Sequence, residues 1–299
     1  MPSLRSRALS AAFVMAGRRR RWASAEAVRA QVASTARRPA SHLPPRSLAR
    51  AATVSRSIVG AWPVYDVAPR DREPAARVLY LHGGGFIDEL VRPHWSLVRT
   101  LVAAAGAHCV VPAYTLAPRG TADRTVPVAA DLLSGLVESG GPGPTVLMGD
   151  AAGAGLALAA AQRLRDRNGV QPDRIVLISP WLDLSLSHPD QSALEARDPV
   201  QTRAGLREAG RLYAGTLDAL DPRVSPLYGS LSGLAPLTVF SGTRDVLATD
   251  SRELIARARA AGTPAELFEA EGQAHCHPLL PVPEGRAARE HIVRMLAES

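Results

Sequence analysis

Lysine is absent: all 35 basic residues of the 299-residue chain are arginine. That bias points to GC-rich coding more than to selection for nucleic acid. Cysteine is almost absent as well. Two residues, Cys109 and Cys276, make no disulfide framework, and Cys109 lies in the apolar run 107–111, where a small buried hydrophobe is the simplest reading. No apolar stretch approaches the roughly 20 residues that cross a bilayer, so stable membrane insertion through a helix is not expected. A secretory leader is disfavoured too. The apolar part of 1–17 is short and runs into Arg18, Arg19, Arg20 and Arg21 without a small-residue cleavage site. The default expectation is a cytoplasmic protein. Aromatic residues are scarce, at 4%, which argues against a nucleic-acid surface built on base stacking.

What is present is enough for one large α/β domain: 46% of the residues are hydrophobic, and the length suffices for a sizeable core. The charge of +7 is unevenly spread, because the first 50 residues hold 11 arginines and one acid, Glu26, which leaves −3 for the remainder. Such runs usually form a solvated helix face. Residues 1–50 read as one or two helices, one of them capped by Ser24. Two short alternating runs, 54–59 and 62–67, flank Gly60 like a hairpin at a sheet edge. Strands at 77–81, 108–112, 145–148, 174–178, 237–241 and 265–269 then alternate with helices at 95–105, 126–138, 151–167, 250–261 and 284–297. That order calls for a mostly parallel sheet with helices on both faces. The stretch 181–231 breaks the rhythm with Pro189, Pro199, Pro222 and Pro226 and one helix at about 201–213. It is expected, with the N-terminal helices, to cap the strand ends.

One spacing organises the rest. Gly149-Asp150-Ala151-Ala152-Gly153 follows a buried strand and opens a small-residue helix, the G-x-S-x-G arrangement of a nucleophile elbow. The raised position, however, is Ala151. Upstream, His82-Gly83-Gly84-Gly85-Phe86 follows directly on a strand, an arrangement whose backbone amides complete an oxyanion hole. The expected donors are the N–H groups of Gly83, Gly84 and Ala152, while Gly85, Phe86 and Asp150 are expected to line the substrate. In chain order an acid and then a histidine should follow. Asp245 stands just past a strand, and Asp250 suits a helix cap better. His275 lies in the loop after the last strand, with His277 as its runner-up. His275, Cys276 and His277 lack further ligands at a metal-binding spacing, so no metal is expected.

These residues resemble the hormone-sensitive-lipase-like branch of the α/β-hydrolases over roughly 75–299. Besides the glycine run, Tyr114-Thr115-Leu116-Ala117-Pro118 is similar to the family's Y-R-L-A-P, with Thr115 in place of Arg. Pro127 to Asp131 resembles P-A-A-x-D, and Pro180 to Leu184 a segment entering the cap. The resemblance implies an α/β-hydrolase fold, with 1–50 as an N-terminal helical cap segment, 51–299 as the hydrolase domain and a cap insertion at about 181–231. It implies a carboxylic-ester hydrolase acting on a small-molecule ester or N-acetyl substrate without a cofactor. Position 151 would carry the nucleophile, with His275 as base and Asp245 as its orienting acid. Arg203, Arg207 and Arg211 could offer an anionic leaving group a basic face, although a solvated face is the better expectation.

Ala151 then needs an origin. It is either an introduced replacement of the serine, or a natural residue in a binding protein or non-hydrolytic catalyst of the cyclase or lyase type. The surrounding glycines, Asp245, His275 and the donor loop all stand, which favours replacement. Asp150 offers no substitute nucleophile, since its side chain should point away from the raised position.

Overall fold

The computed structural model describes residues 1–297. Three helices open the chain, α1 (Leu4–Met15), α2 (Ala25–Arg37) and α3 (Arg46–Ala51), with a 3-10 turn, Arg18–Trp22, between the first two. The hairpin β1 (Thr53–Val59) and β2 (Trp62–Ala68) follows. Then come β3 (Ala76–Leu81), α4 (Arg92–Ala105), β4 (Ala107–Pro112), α5 (Ala122–Glu138), β5 (Thr145–Asp150), α6 (Ala152–Asp166) and β6 (Arg174–Ile178). Helices α7 (Gln191–Glu195) and α8 (Arg203–Ala214) precede β7 (Leu237–Gly242), α9 (Ala248–Ala260), β8 (Ala265–Ala270) and α10 (Pro283–Ala297).

The eight strands form one sheet in the order β1-β2-β4-β3-β5-β6-β7-β8. Only the β1–β2 and β2–β4 pairings are antiparallel. Central strands covered on both faces have no polar side to show, and β5 is buried at every residue. Two apolar layers result, one around α5, α6 and the cap, the other around α4 and α10.

Most element positions match the alternation in the sequence, and the differences have local causes. Helix α4 starts at Arg92, with Pro93 in its first turn, where the missing N–H costs nothing. Helix α5 begins at Ala122 and carries Pro127 inside it. The N-terminal segment holds three helices instead of one or two, and α7 was not expected. Both α3 and α7 are too short to show a period.

Helix α6 must run close under β3 for the elbow to form. A Cβ on Gly153 would collide with the carbonyls of Leu81 and His82, so glycine alone allows that approach.

Candidate active site

Ala151 joins β5 to α6 with φ 49° and ψ −118°. A non-glycine residue there is strained, at a cost on the order of 1–3 kcal/mol. Its N–H donates to Ile178 O at 2.9 Å, and its carbonyl accepts from Trp181 at 3.1 Å. The end of the neighbouring strand β6 and the segment just past it thus pin the turn. The first amides of α6 point outward from this corner, as at any helix N-terminus.

Asp245 and His275, the expected acid and base, stand in the loops after β7 and β8. Asp245, on the β7–α9 loop, is fully buried, and its Oδ2 lies 2.8 Å from Nδ1 of His275. Its Oδ1 accepts the N–H of Leu247 at 2.9 Å. Burial disfavours a charge on the His275 ring, but the Asp245 carboxylate and the Cys276 sulfur outweigh it, so the imidazole is held well above its ordinary range. Its Nε2 faces Cys276 Sγ at 3.3 Å. Cys276 is itself at φ 52°, and burial raises its thiol to about 11. His277 makes no bond to Asp245; it opens the 3-10 turn His277–Leu279, and burial lowers its ring to about 4. Asp250 lies inside α9, whose N-cap is Leu247, so it is not the helix cap expected; it accepts from the N–H groups of Leu182 at 2.8 Å and Asp183 at 3.0 Å.

The donor loop departs from expectation at Gly83. That N–H donates to Asp150 Oδ1 at 2.9 Å, so it is spent inside the protein. Among the described residues, the amides of Gly84, Gly85 and Ala152 have no protein acceptor. Asp150 likewise lies beneath the site instead of lining it. It is 2% exposed, accepts from Tyr80 Oη at 2.5 Å and has His94 Nε2 at 3.5 Å. Burial opposes its charge, yet His94, the Tyr80 hydroxyl and the Gly83 amide together hold its carboxyl below the usual range. Phe86 is also a correction: its ring is buried and stacks on Tyr213 of α8 at 3.5 Å between centroids. It fastens the cap to the sheet. Neither partnership shows in the sequence, because each joins residues more than fifty positions apart.

The cover over the glycine loop comes from the arginine run. The Trp22 indole packs against Gly85, where a Cβ would strike it. Arg21 pairs with Asp88 at 2.6 Å, just beyond the loop, Arg19 donates to Glu195 O at 3.0 Å, and Thr202 Oγ1 donates to Trp22 O. Arg19 and Arg21 thus tie the segment down, while Arg18, Arg20 and Arg21 remain exposed, as expected of a solvated face. Arg203 and Arg207 likewise donate to the carbonyls of Ser185 and Leu186, and Arg211 pairs with Glu208 at 2.8 Å. Arg207 and Arg211 remain exposed, in keeping with a solvated face. A cavity of about 520 Å³ lies beneath α2, lined in part by Ile87, Glu89, Leu116 and Leu212. Among the described residues, no helix is long and apolar enough to cross a membrane and no cluster of metal-ligating side chains occurs.

The family model for the alpha/beta hydrolase fold matches residues 78–279, from β3 to just past His275. The chain is an α/β-hydrolase. An acetyl-hydrolase of Streptomyces hygroscopicus is 38% identical over 224 residues, which cover 73% of this chain and 74% of that one. An ethyl acetate hydrolase of Pseudomonas putida is 29% identical over 71% of this chain and 70% of its own. The crystal structure of an esterase from the bacterial hormone-sensitive lipase family superposes with a TM-score of 0.77 at 28% identity, covering 92% of this chain and 97% of the other. This α/β-hydrolase thus stands in the hormone-sensitive-lipase-like branch, among carboxylesterase-type enzymes.

Proposed function

We propose that the chain is the frame of a short-acyl esterase working by a Ser-His-Asp mechanism, with Ala151 in the place of the serine. The observation that carries this reading is the Ala151 backbone. It is held at φ 49° and ψ −118° beside an Asp245–His275 pair, a strain from which a methyl group gains nothing. A serine there would attack the ester carbonyl while His275 takes its proton. The developing oxyanion would meet the amides of Gly84, Gly85 and Ala152. The carbon–oxygen bond to the alcohol then breaks, the imidazolium protonates that alcohol, and water releases the acid by the reverse sequence. The relatives' names, acetyl-hydrolase and ethyl acetate hydrolase, support a small acyl group. The N-terminal helices and the insertion between β6 and β7 act as the cap.

With alanine the chemical step lacks its nucleophile, a loss on the order of 10⁶ in turnover. The intact acid, base and donor loop support replacement of a working serine over drift from hydrolysis. Ala151→Ser should therefore create hydrolysis of short p-nitrophenyl esters, about 10⁶-fold above the parent. The steady-state rate across acyl lengths, with an N-acetyl anilide alongside, is the measurement. A folded Ala151→Ser protein no faster than buffer would sink the proposal and turn attention to ligand binding by the alanine form.

A further inference from the structure

A carboxylate of the cap stands behind the acid. Asp198 follows α7, is 2% exposed, and accepts three backbone N–H groups: Val200 at 2.7 Å and Gln201 at 2.9 Å on Oδ1, and Val246 at 3.0 Å on Oδ2. Val246 is the residue after Asp245. Two buried carboxylates therefore hold the same short turn, one from within and one from the cap. Among the described residues, no arginine side chain bonds to either carboxylate. The neighbouring Arg244 is half-buried and donates to the carbonyl of Arg197, which adds a second tie between cap and turn at 3.2 Å.

We propose that Asp198 is a positioning residue for the catalytic acid, fixing the 245–247 turn from the cap and adding the negative potential that keeps a proton on His275. This rests on the triad reading above. Three N–H donors on one carboxylate favour its anion. Burial and the facing Asp245 push the other way and raise Asp198 to about 6. The other groups facing the pair are accounted for. His277, lowered to about 4, is neutral near pH 7, and Glu284 lies beyond it. Cys276, at about 11, is a thiol. Asp150, 3.8 Å from the Cys276 sulfur, is committed to Tyr80 and Gly83. Burial raises Asp250 to about 7 as well, but its Oδ2 bonds the backbone of Leu182 and Asp183. Asp198 is the one of the two that bonds the turn carrying Asp245, and it belongs to the cap. Seating of the cap and proton affinity of the base are coupled through it.

The test is an NMR titration of the unmodified chain, following the Asp198 carboxyl carbon and the His275 ring together. The Asp198 signal should inflect near pH 6 and the His275 ring should show the same inflection. Asp198→Asn should abolish that inflection and lower the imidazole's own midpoint by about half to one pH unit, and Asp198→Glu should restore part of it. A bracket that only held the turn would cost stability and leave the His275 midpoint where it was. That result, or a His275 ring blind to Asp198 in the unmodified chain, overturns the proposal, even if Asp198→Asn does not fold. In the Ala151→Ser background, Asp198→Asn should cut kcat on the order of tenfold with little change in KM, and move the acid limb of kcat/KM to lower pH. The titration needs no hydrolysis. An inactive Ala151→Ser protein therefore removes the esterase reading alone, while an active one with an unmoved His275 midpoint removes the role of Asp198 alone.

Discussion

Asp245 and Arg21 each hold a partner at close range, 2.8 Å to His275 and 2.6 Å to Asp88, yet they sit in opposite surroundings. Asp245 is fully buried and also held by Leu247, whereas the Arg21 side chain is 42% exposed. Removing one partner of a buried pair leaves a charge that water cannot reach, at about 3–5 kcal/mol. Removing one partner of an exposed pair costs about 0–1 kcal/mol. The frame around Asp245 and the seat of Trp22 are thus built from buried contacts, while the Arg21–Asp88 tie lies at the surface.

The sharpest way to break the contrast is Asp245→Asn in the Ala151→Ser background. Loss of the orienting carboxylate should lower kcat by about 10⁴, read from single-turnover rates. A drop below tenfold would mean that another acid orients His275. Next comes Asp150→Ala, which strands Tyr80, His94 and the Gly83 amide. Urea unfolding should show a loss of about 3–5 kcal/mol, and the Ala151→Ser enzyme should lose about 10²–10³ in kcat as the donor loop slackens.

A pH series separates the two kinds of contact. The His275 pKa is raised in the folded chain, so its charged pair with Asp245 stabilises fully below the ordinary imidazole value of about 6.5. That contribution is lost as pH rises through the elevated folded value. The stability gap between parent and His275→Ala, measured by thermal unfolding, should therefore be widest on the acid side and narrow toward alkaline pH. A gap independent of pH would show that packing alone fixes the ring. The smallest effect belongs to Arg21→Ala. It should change global stability by less than about 1 kcal/mol, while loosening the arm enough for Trp22 fluorescence to shift.

The elbow, the glycine run, the acid and the base were legible in the sequence because each follows a strand in a fixed order, and strand order fixes position in a parallel sheet. Gly83, Phe86 and Asp150 were placed correctly in the chain and read differently for their contacts. A turn motif tells which backbone approaches the corner, and it is silent on which amide a distant carboxylate will claim. The arginine run was legible as an exposed face, but its two ties were not. Its neutralising partners, Glu195 and Asp88, lie 176 and 67 positions away from Arg19 and Arg21.

From its residues alone the chain determined a mostly parallel α/β sheet with an elbow-like corner carrying Ala151, since glycine spacing and strand period are local properties of the backbone. Tertiary structure alone decided which amides stay open, that the arm of arginines closes over them, and that a cap carboxylate braces the acid. Those outcomes depend on pairings between groups far apart in sequence, and only the folded geometry brings them within hydrogen-bonding reach.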